Sequence, residues 1–128
     1  MKFTRMGHMA INVSDMERAE EFYVKKLGMD VGWRSPEGEL MFLRCGGDDL
    51  ALIRNLRPDH LRSEKWTPLN HFGFRVEYRE EVDQMAAELR TKGIEITDGP
   101  RDHRDGSRSF YFYDPDRNMI QALFDPSI

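Results

Sequence analysis

Two short stretches, HMAINV at residues 8–13 and HFGFRV at residues 71–76, constrain this chain more than any other feature. Met9, Ile11 and Val13 alternate with His8, Ala10 and Asn12. Phe72, Phe74 and Val76 alternate with His71, Gly73 and Arg75. Period-two alternation marks a half-buried strand, and each stretch is followed by the same succession of patterns. In the first, Ser14 and Glu17 stand at capping-box spacing. Met16, Ala19, Phe22, Tyr23 and Leu27 then share one helical face, and Gly28 stops the helix. Strands are expected near Val31 to Arg34, Leu40 to Cys45 and Leu50 to Arg54, joined by the turn sequences SPEG and GGDD. In the second, Glu80, Glu81 and Asp83 suit a helix N-terminus. Val82, Met85, Ala86 and Leu89 form its apolar stripe, and Gly93 ends it. Strands follow near Glu95, at Ser109 to Tyr113 and at Met119 to Phe124.

The order strand, helix, strand, strand, strand is thus written twice, as an internal repeat of about 60 residues. The fold class is α+β, two tandem βαβββ modules within one domain of residues 1–128. Module one covers about 1–55, and module two about 70–128. Residues 55–69, NLRPDHLRSEKWTPL, have no clear period and read as a linker; His60 within it has no assigned role.

Composition narrows the function. The net charge of −4 is modest and the signs are interspersed, without the basic stripe of a nucleic-acid binder. No apolar run approaches the length of a membrane span. The N-terminus MKFTRMGHMAINV has no continuous apolar segment of the secretory kind. Cys45 is the single cysteine, which excludes an intramolecular disulfide and suits a reducing cytoplasm; it reads as a small strand residue. These features suit a cytoplasmic protein with neither a nucleic-acid nor a membrane partner.

His8 and His71 occupy equivalent places, each on the first strand of its module and opposite the apolar set that packs under the helix. A solitary strand histidine is usually a hydrogen-bonded core or surface residue. Two at equivalent repeat positions point instead to a shared site, because imidazole suits transition metals and a carboxylate commonly completes such a set.

With GHMAINVSDMERAEEFYVKKLGMDV, LNHFGFRV and GSRSFYFYDPDRNMIQALF, nearly the whole chain resembles the vicinal oxygen chelate superfamily of glyoxalase I, fosfomycin-resistance thiol transferases, bleomycin-resistance proteins and extradiol dioxygenases. The resemblance implies a cup-shaped mixed sheet with helices on its outer face, closed around a divalent metal (Fe, Mn, Zn or Ni). It also implies a homodimer, with the cup built within a chain or from modules exchanged between chains. It places the metal ligands at His8, His71 and Gln121. The family's terminal-strand ligand is a glutamate, so Gln121 replaces a carboxylate by an amide, which ligates more weakly through its oxygen. The fourth ligand of the glyoxalase branch would fall around Leu50, which cannot ligate. In the extradiol branch the acid/base histidine and the substrate-binding tyrosine fall on His103 and Tyr111; imidazole suits proton transfer near neutrality. Arg117 stands where the family's turn has glycine, and a positive φ there costs about 1 kcal/mol.

Two functions follow. One is a metal-dependent enzyme of this superfamily, a lyase, transferase or extradiol-like dioxygenase. The other is a metal-free binding protein of the bleomycin-resistance type that sequesters a small molecule. The histidines favour the first; Gln121 gives the second some weight.

Overall fold

The computed structural model describes residues 1, 8–54 and 69–127. The expected linker, with His60 and Trp66, lies almost wholly outside the described residues. The chain divides into two compact units, Met1–Leu61 and Arg62–Ile128.

The first unit contains β1 (His8–Val13), a helix, and β2 (Asp30–Arg34), β3 (Leu40–Cys45) and β4 (Asp48–Arg54). The sheet order is β1-β4-β3-β2. β1 runs parallel to β4, and the other pairs are antiparallel. A parallel pair needs a long crossover, which the helix provides. That helix, α1 (Met16–Glu20), continues directly into a π-helical segment, Glu21–Lys26. An α-helix sets sequence neighbours roughly 100° apart. The wider π turn reduces that angle, and Phe22 and Tyr23 are both buried, edge to face at 5.0 Å. The cap falls one residue later than the capping box predicts: Asp15 accepts from the Arg18 amide at 3.1 Å, and Ser14 accepts from the Arg18 side chain. The helix starts at Met16, so the third amide along is that of Arg18. Asp48 and Asp49, expected in a turn, open β4 instead.

The second unit repeats the plan. β5 (Phe72–Arg75), α2 (Glu80–Thr91), β6 (Ile96–Asp102), β7 (Arg108–Tyr113) and β8 (Met119–Phe124) give the order β5-β8-β7-β6. Phe72, Ile120 and Phe112 form one row across the sheet. Phe74, Ala122 and Phe110 form the next. Most of these six are buried, and α2 packs on β7 and β8 with Val82, Ala86 and Leu89 buried. The predicted helix stops hold: Gly28 and Gly93 both have positive φ. Arg117 also has φ 65°, at the turn where glycine was expected, and its guanidinium lies 4.9 Å from the Tyr113 ring centre. A cation–π contact of about 0.5–1 kcal/mol offsets much of that backbone cost.

Two features hold the second sheet's far edge. The register of β6 on β7 slips between Asp98 and Arg101, and Gly99 sits in that bulge with φ +88°. A Cβ at Gly99 would lie 2.6 Å from the Ser109 carbonyl oxygen. Arg108 of β7 bonds Asp83 of α2 through two nitrogens, at 2.7 and 2.8 Å, and reaches Asp102 at 3.0 Å. The bond from Arg108 holds the Asp83 carboxyl below its ordinary pKa.

Gly99→Ala is expected to lower stability by about 2 kcal/mol or more in urea unfolding, since it adds a backbone clash to a left-handed φ. Asp83→Asn is expected to lower the melting temperature at pH 7. The folded-state pKa of Asp83 is depressed, so its contribution is complete above the unfolded value of about 3.9 and is lost as pH falls through the folded value. The gap between Asp83→Asn and the parent protein therefore closes in acid, as a pH series of melting curves measures.

Candidate functional site

The face of the second sheet turned away from α2 carries the polar residues. Gly73 pairs with Gln121, and Gln121 pairs with Tyr111, so β5, β8 and β7 contribute neighbours in one row. Strand parity adds Ser109, two residues from Tyr111 on β7. A Cβ at Gly73 would lie 2.8 Å from the Gln121 carbonyl oxygen and 3.3 Å from its Cβ. A residue without a side chain is therefore what lets β5 lie this close to Gln121.

The Gln121 side chain extends over β7. Its Nε2 donates to Ser109 Oγ and to Tyr111 Oη, both at 2.9 Å. Both amide hydrogens are engaged and the carbonyl Oε1 is left for a ligand. Ser109 is 0 % exposed, and its Oγ also lies 2.6 Å from His103 Nε2. The rings of His71 and Tyr111 meet in a T-shaped contact, 5.3 Å between centres. His71 Nδ1 lies 2.6 Å from Asn70 Oδ1. An amide oxygen only accepts, so Nδ1 is the donor; in the neutral ring Nε2 then keeps its lone pair, the arrangement commonly found in metal-ligating histidines.

His103 sits in the β6–β7 hairpin, and the hairpin is pinned. The His103 amide donates to the Ser107 carbonyl at 2.9 Å, and the Gly106 amide donates back to the His103 carbonyl at 3.1 Å. Asp105 Oδ1 accepts from the amide and the hydroxyl of Ser107 at 2.9 and 2.6 Å, and these bonds hold its carboxyl below the usual range. Arg79, at the start of α2, donates to the Gly106 carbonyl at 3.1 Å and bonds Asp102. The histidine is thus a half-buried residue on a braced turn, not a solvated loop residue.

Four of the five candidate residues are therefore placed on one side of the second unit, and three of them, Gln121, Tyr111 and His103, belong to one hydrogen-bond chain through Ser109. The fifth, His8, lies exposed on β1 in the first unit, directly opposite Asp49. Register also corrects the expected counterpart of Gln121 in the first module. Leu50 is buried on the helix side, and Ala51 occupies the equivalent place. Ala51 cannot ligate either. Asp49 faces the same way as His8, and its Oδ1 is held by Arg44 at 2.7 Å.

Among the described residues, no group of three or more His, Cys, Asp or Glu side chains stands close enough to hold a metal. Donors that fit one in the second unit are neutral: the free Nε2 of His71 and the outward Oε1 of Gln121. The Cys45 thiol is exposed, and its pKa is raised by partial desolvation and by the carboxylate of Asp48, so it is a poor nucleophile at neutral pH.

The residue that sequence inspection missed is Ser109. The available signal was parity: it is two residues before Tyr111 and on the same face. Asn70 was missed because nothing in the sequence ties a residue's side chain to its neighbour's ring nitrogen.

Known proteins give the wider frame. A family model described as the Glyoxalase/Bleomycin resistance protein/Dioxygenase superfamily matches residues 5–122. The chain is 31% identical over 127 residues to the Bacillus subtilis (strain 168) protein YwkD, covering 94% of this chain and 97% of that one. Its fold is similar to that of a glyoxalase/dioxygenase from Nostoc punctiforme, with 26% identity and a TM-score of 0.78 over 95% of this chain and 91% of that one. It is similar in fold alone to a lactoylglutathione lyase from Agrobacterium tumefaciens, with 22% identity and a TM-score of 0.79 over 97% of this chain and 96% of that one. With two βαβββ units of identical strand order and a match across almost its whole length, this chain belongs to the glyoxalase/bleomycin resistance protein/dioxygenase superfamily.

Proposed function

We propose that this protein is a small-molecule enzyme of the superfamily, using a divalent metal held by His8, His71 and Gln121. The observation that carries this reading is the hydrogen-bond chain from Tyr111 through Gln121 and Ser109 to His103, set beside a histidine whose Nε2 is free. A sheet face that needed only wet polar residues would not require a buried serine bonded to both a glutamine and a histidine.

The metal, when bound, would polarise a substrate oxygen as a Lewis acid. The protein's own groups would do the rest. Tyr111 Oη accepts from Gln121, which leaves its hydrogen directed to a substrate oxygen. His71 packs its ring against Tyr111 at nearly a right angle and limits where the phenol swings. His103 acts through Ser109, because its Nε2 faces that hydroxyl. Extradiol-like ring cleavage is the reaction class suggested by the pairing of a histidine with a tyrosine beside the ligand set. A homodimer in the cytoplasm is part of the same proposal. Among the described residues, no helix is long and apolar enough to cross a membrane.

The amide at position 121 supports a second reading, a bleomycin-resistance-type protein that sequesters a small molecule without a metal. Three neutral ligands leave both charges of a divalent ion uncompensated, and such a set binds more weakly than one with a carboxylate.

Elemental analysis of protein purified without chelator separates the two. Near-stoichiometric metal that falls sharply in both His8→Ala and His71→Ala is expected for the enzyme; substoichiometric metal indifferent to both substitutions would sink it. Gln121→Glu is expected to tighten divalent-metal binding by roughly ten-fold or more in calorimetry. Unchanged affinity would place residue 121 away from the metal.

A further inference from the structure

We infer that buried Ser109 is a positioning residue that fixes the direction of the whole chain of hydrogen bonds, so that Gln121 presents its oxygen and Tyr111 its hydrogen to the ligand. The inference comes from counting donors. The Gln121 amide nitrogen has two hydrogens, and both point to oxygens, Ser109 Oγ and Tyr111 Oη at 2.9 Å. Ser109 has one hydrogen and already accepts from the amide. Its oxygen has room for a second donor, but its own hydrogen would then have no acceptor in a fully buried place; donating that hydrogen to His103 Nε2, 2.6 Å away, satisfies both groups. His103 then carries its ring proton on Nδ1.

Only one other arrangement satisfies every group, the complete reversal. In it the amide oxygen accepts from Ser109 and Tyr111, His103 donates from Nε2, and the amide nitrogen faces the ligand. A mixed arrangement either has both neighbours donating, which leaves the Ser109 hydrogen without an acceptor, or has both accepting, which one hydroxyl hydrogen cannot serve. That residue is 0 % exposed, so no bulk water compensates, and an unsatisfied buried group is disfavoured. The chain therefore switches as a unit, and orientation at 121 is coupled to the tautomer of His103 two hydrogen bonds away.

This changes what the missing carboxylate means. A glutamate at 121 has no hydrogen to give, so it permits only the reversed chain, with Tyr111 O–H drawn to residue 121 and His103 protonated on Nε2. Glutamine permits the forward chain, which frees the Tyr111 hydrogen for a ligand oxygen. The amide thus turns Tyr111 into a donor to the ligand, beyond its effect on charge. The direction of the chain rests on Gln121 turning Nε2, and not Oε1, to Ser109 and Tyr111; its consequence for metal binding rests on the proposed ligand set.

Long-range nitrogen–proton NMR of ¹⁵N-histidine-labelled protein tests it, recorded at about pH 8.5, two units above the ordinary histidine pKa. Spectra are taken on the protein as purified and after chelation. In the parent protein His103 is expected as the Nδ1–H tautomer in both samples. Gln121→Glu is expected to convert it to Nε2–H, Ser109→Ala to give a mixture, and Ser109→Thr, which keeps the hydroxyl, to restore the parent pattern. An Nε2–H tautomer in the parent protein would overturn the inference, as would a Gln121→Glu protein whose His103 tautomer is unchanged. The parent spectrum alone is decisive if a variant does not fold. Zinc titration gives the separate readout: Ser109→Ala should weaken binding about ten-fold and Ser109→Thr should recover it. If zinc binds neither parent nor variants while the tautomers behave as expected, the ligand set fails and the directed chain stands.

Discussion

Parallel pairing of the first strand of each unit with its last is the constraint on which the rest depends. β1 lies against β4 and β5 against β8, although a helix and two strands separate them in sequence. This pairing makes the helix a crossover and sets it on one face of the sheet. It also sends every second residue of both strands to the other face. His8 comes to lie opposite Asp49, and Gly73 opposite Gln121, through the same geometric rule applied twice. A one-residue slip in either register would exchange the apolar and polar faces. Burial of Phe72, Ile120 and Ala122 under α2 makes such a slip costly.

The two units use this shared plan differently. In the first, the face opposite α1 carries the Asp49–Arg44 ion pair and an exposed Trp33 tilted against Phe42, 5.5 Å between ring centres. In the second, the corresponding face carries a series of hydrogen bonds linking Tyr111, Gln121, Ser109 and His103. Its precision comes from packing behind it. Gly99 lets β6 approach the backbone at Ser109, and Arg79 and Arg108 tie the hairpin bearing His103 to α2. The surface charges thereby act on the site indirectly, by holding the turn from which His103 reaches Ser109.

Much of this was legible in residue order because period-two and helical periodicities are local. The first strand of module one, α2, its glycine stop and the last strand at Met119–Phe124 lie where the pattern puts them, while β5 is shorter than read, with His71 just before it. The misplacements share a cause. The α1 cap moved to Asp15, β4 began at Asp48 and β6 ran on to Asp102, since ends of elements answer to partners distant in sequence. Ser109 was passed over for a related reason: a serine between aromatics in a strand looks like any small residue until its two partners are known.

By itself, the sequence determined the repeat, the α+β class, the alternation that separates His8, His71 and Gln121 from the apolar core, and the glutamine where a glutamate is expected. The expected glutamate comes from resemblance to the family; the rest follows from backbone periodicity and side-chain chemistry, which need no third dimension. Tertiary structure alone decided that Gln121 donates to Ser109 and Tyr111, and that His103 from a hairpin joins them. Hydrogen bonds are short and directional, so which donor meets which acceptor depends on ångström-scale register across three strands, and no spacing along the chain encodes that.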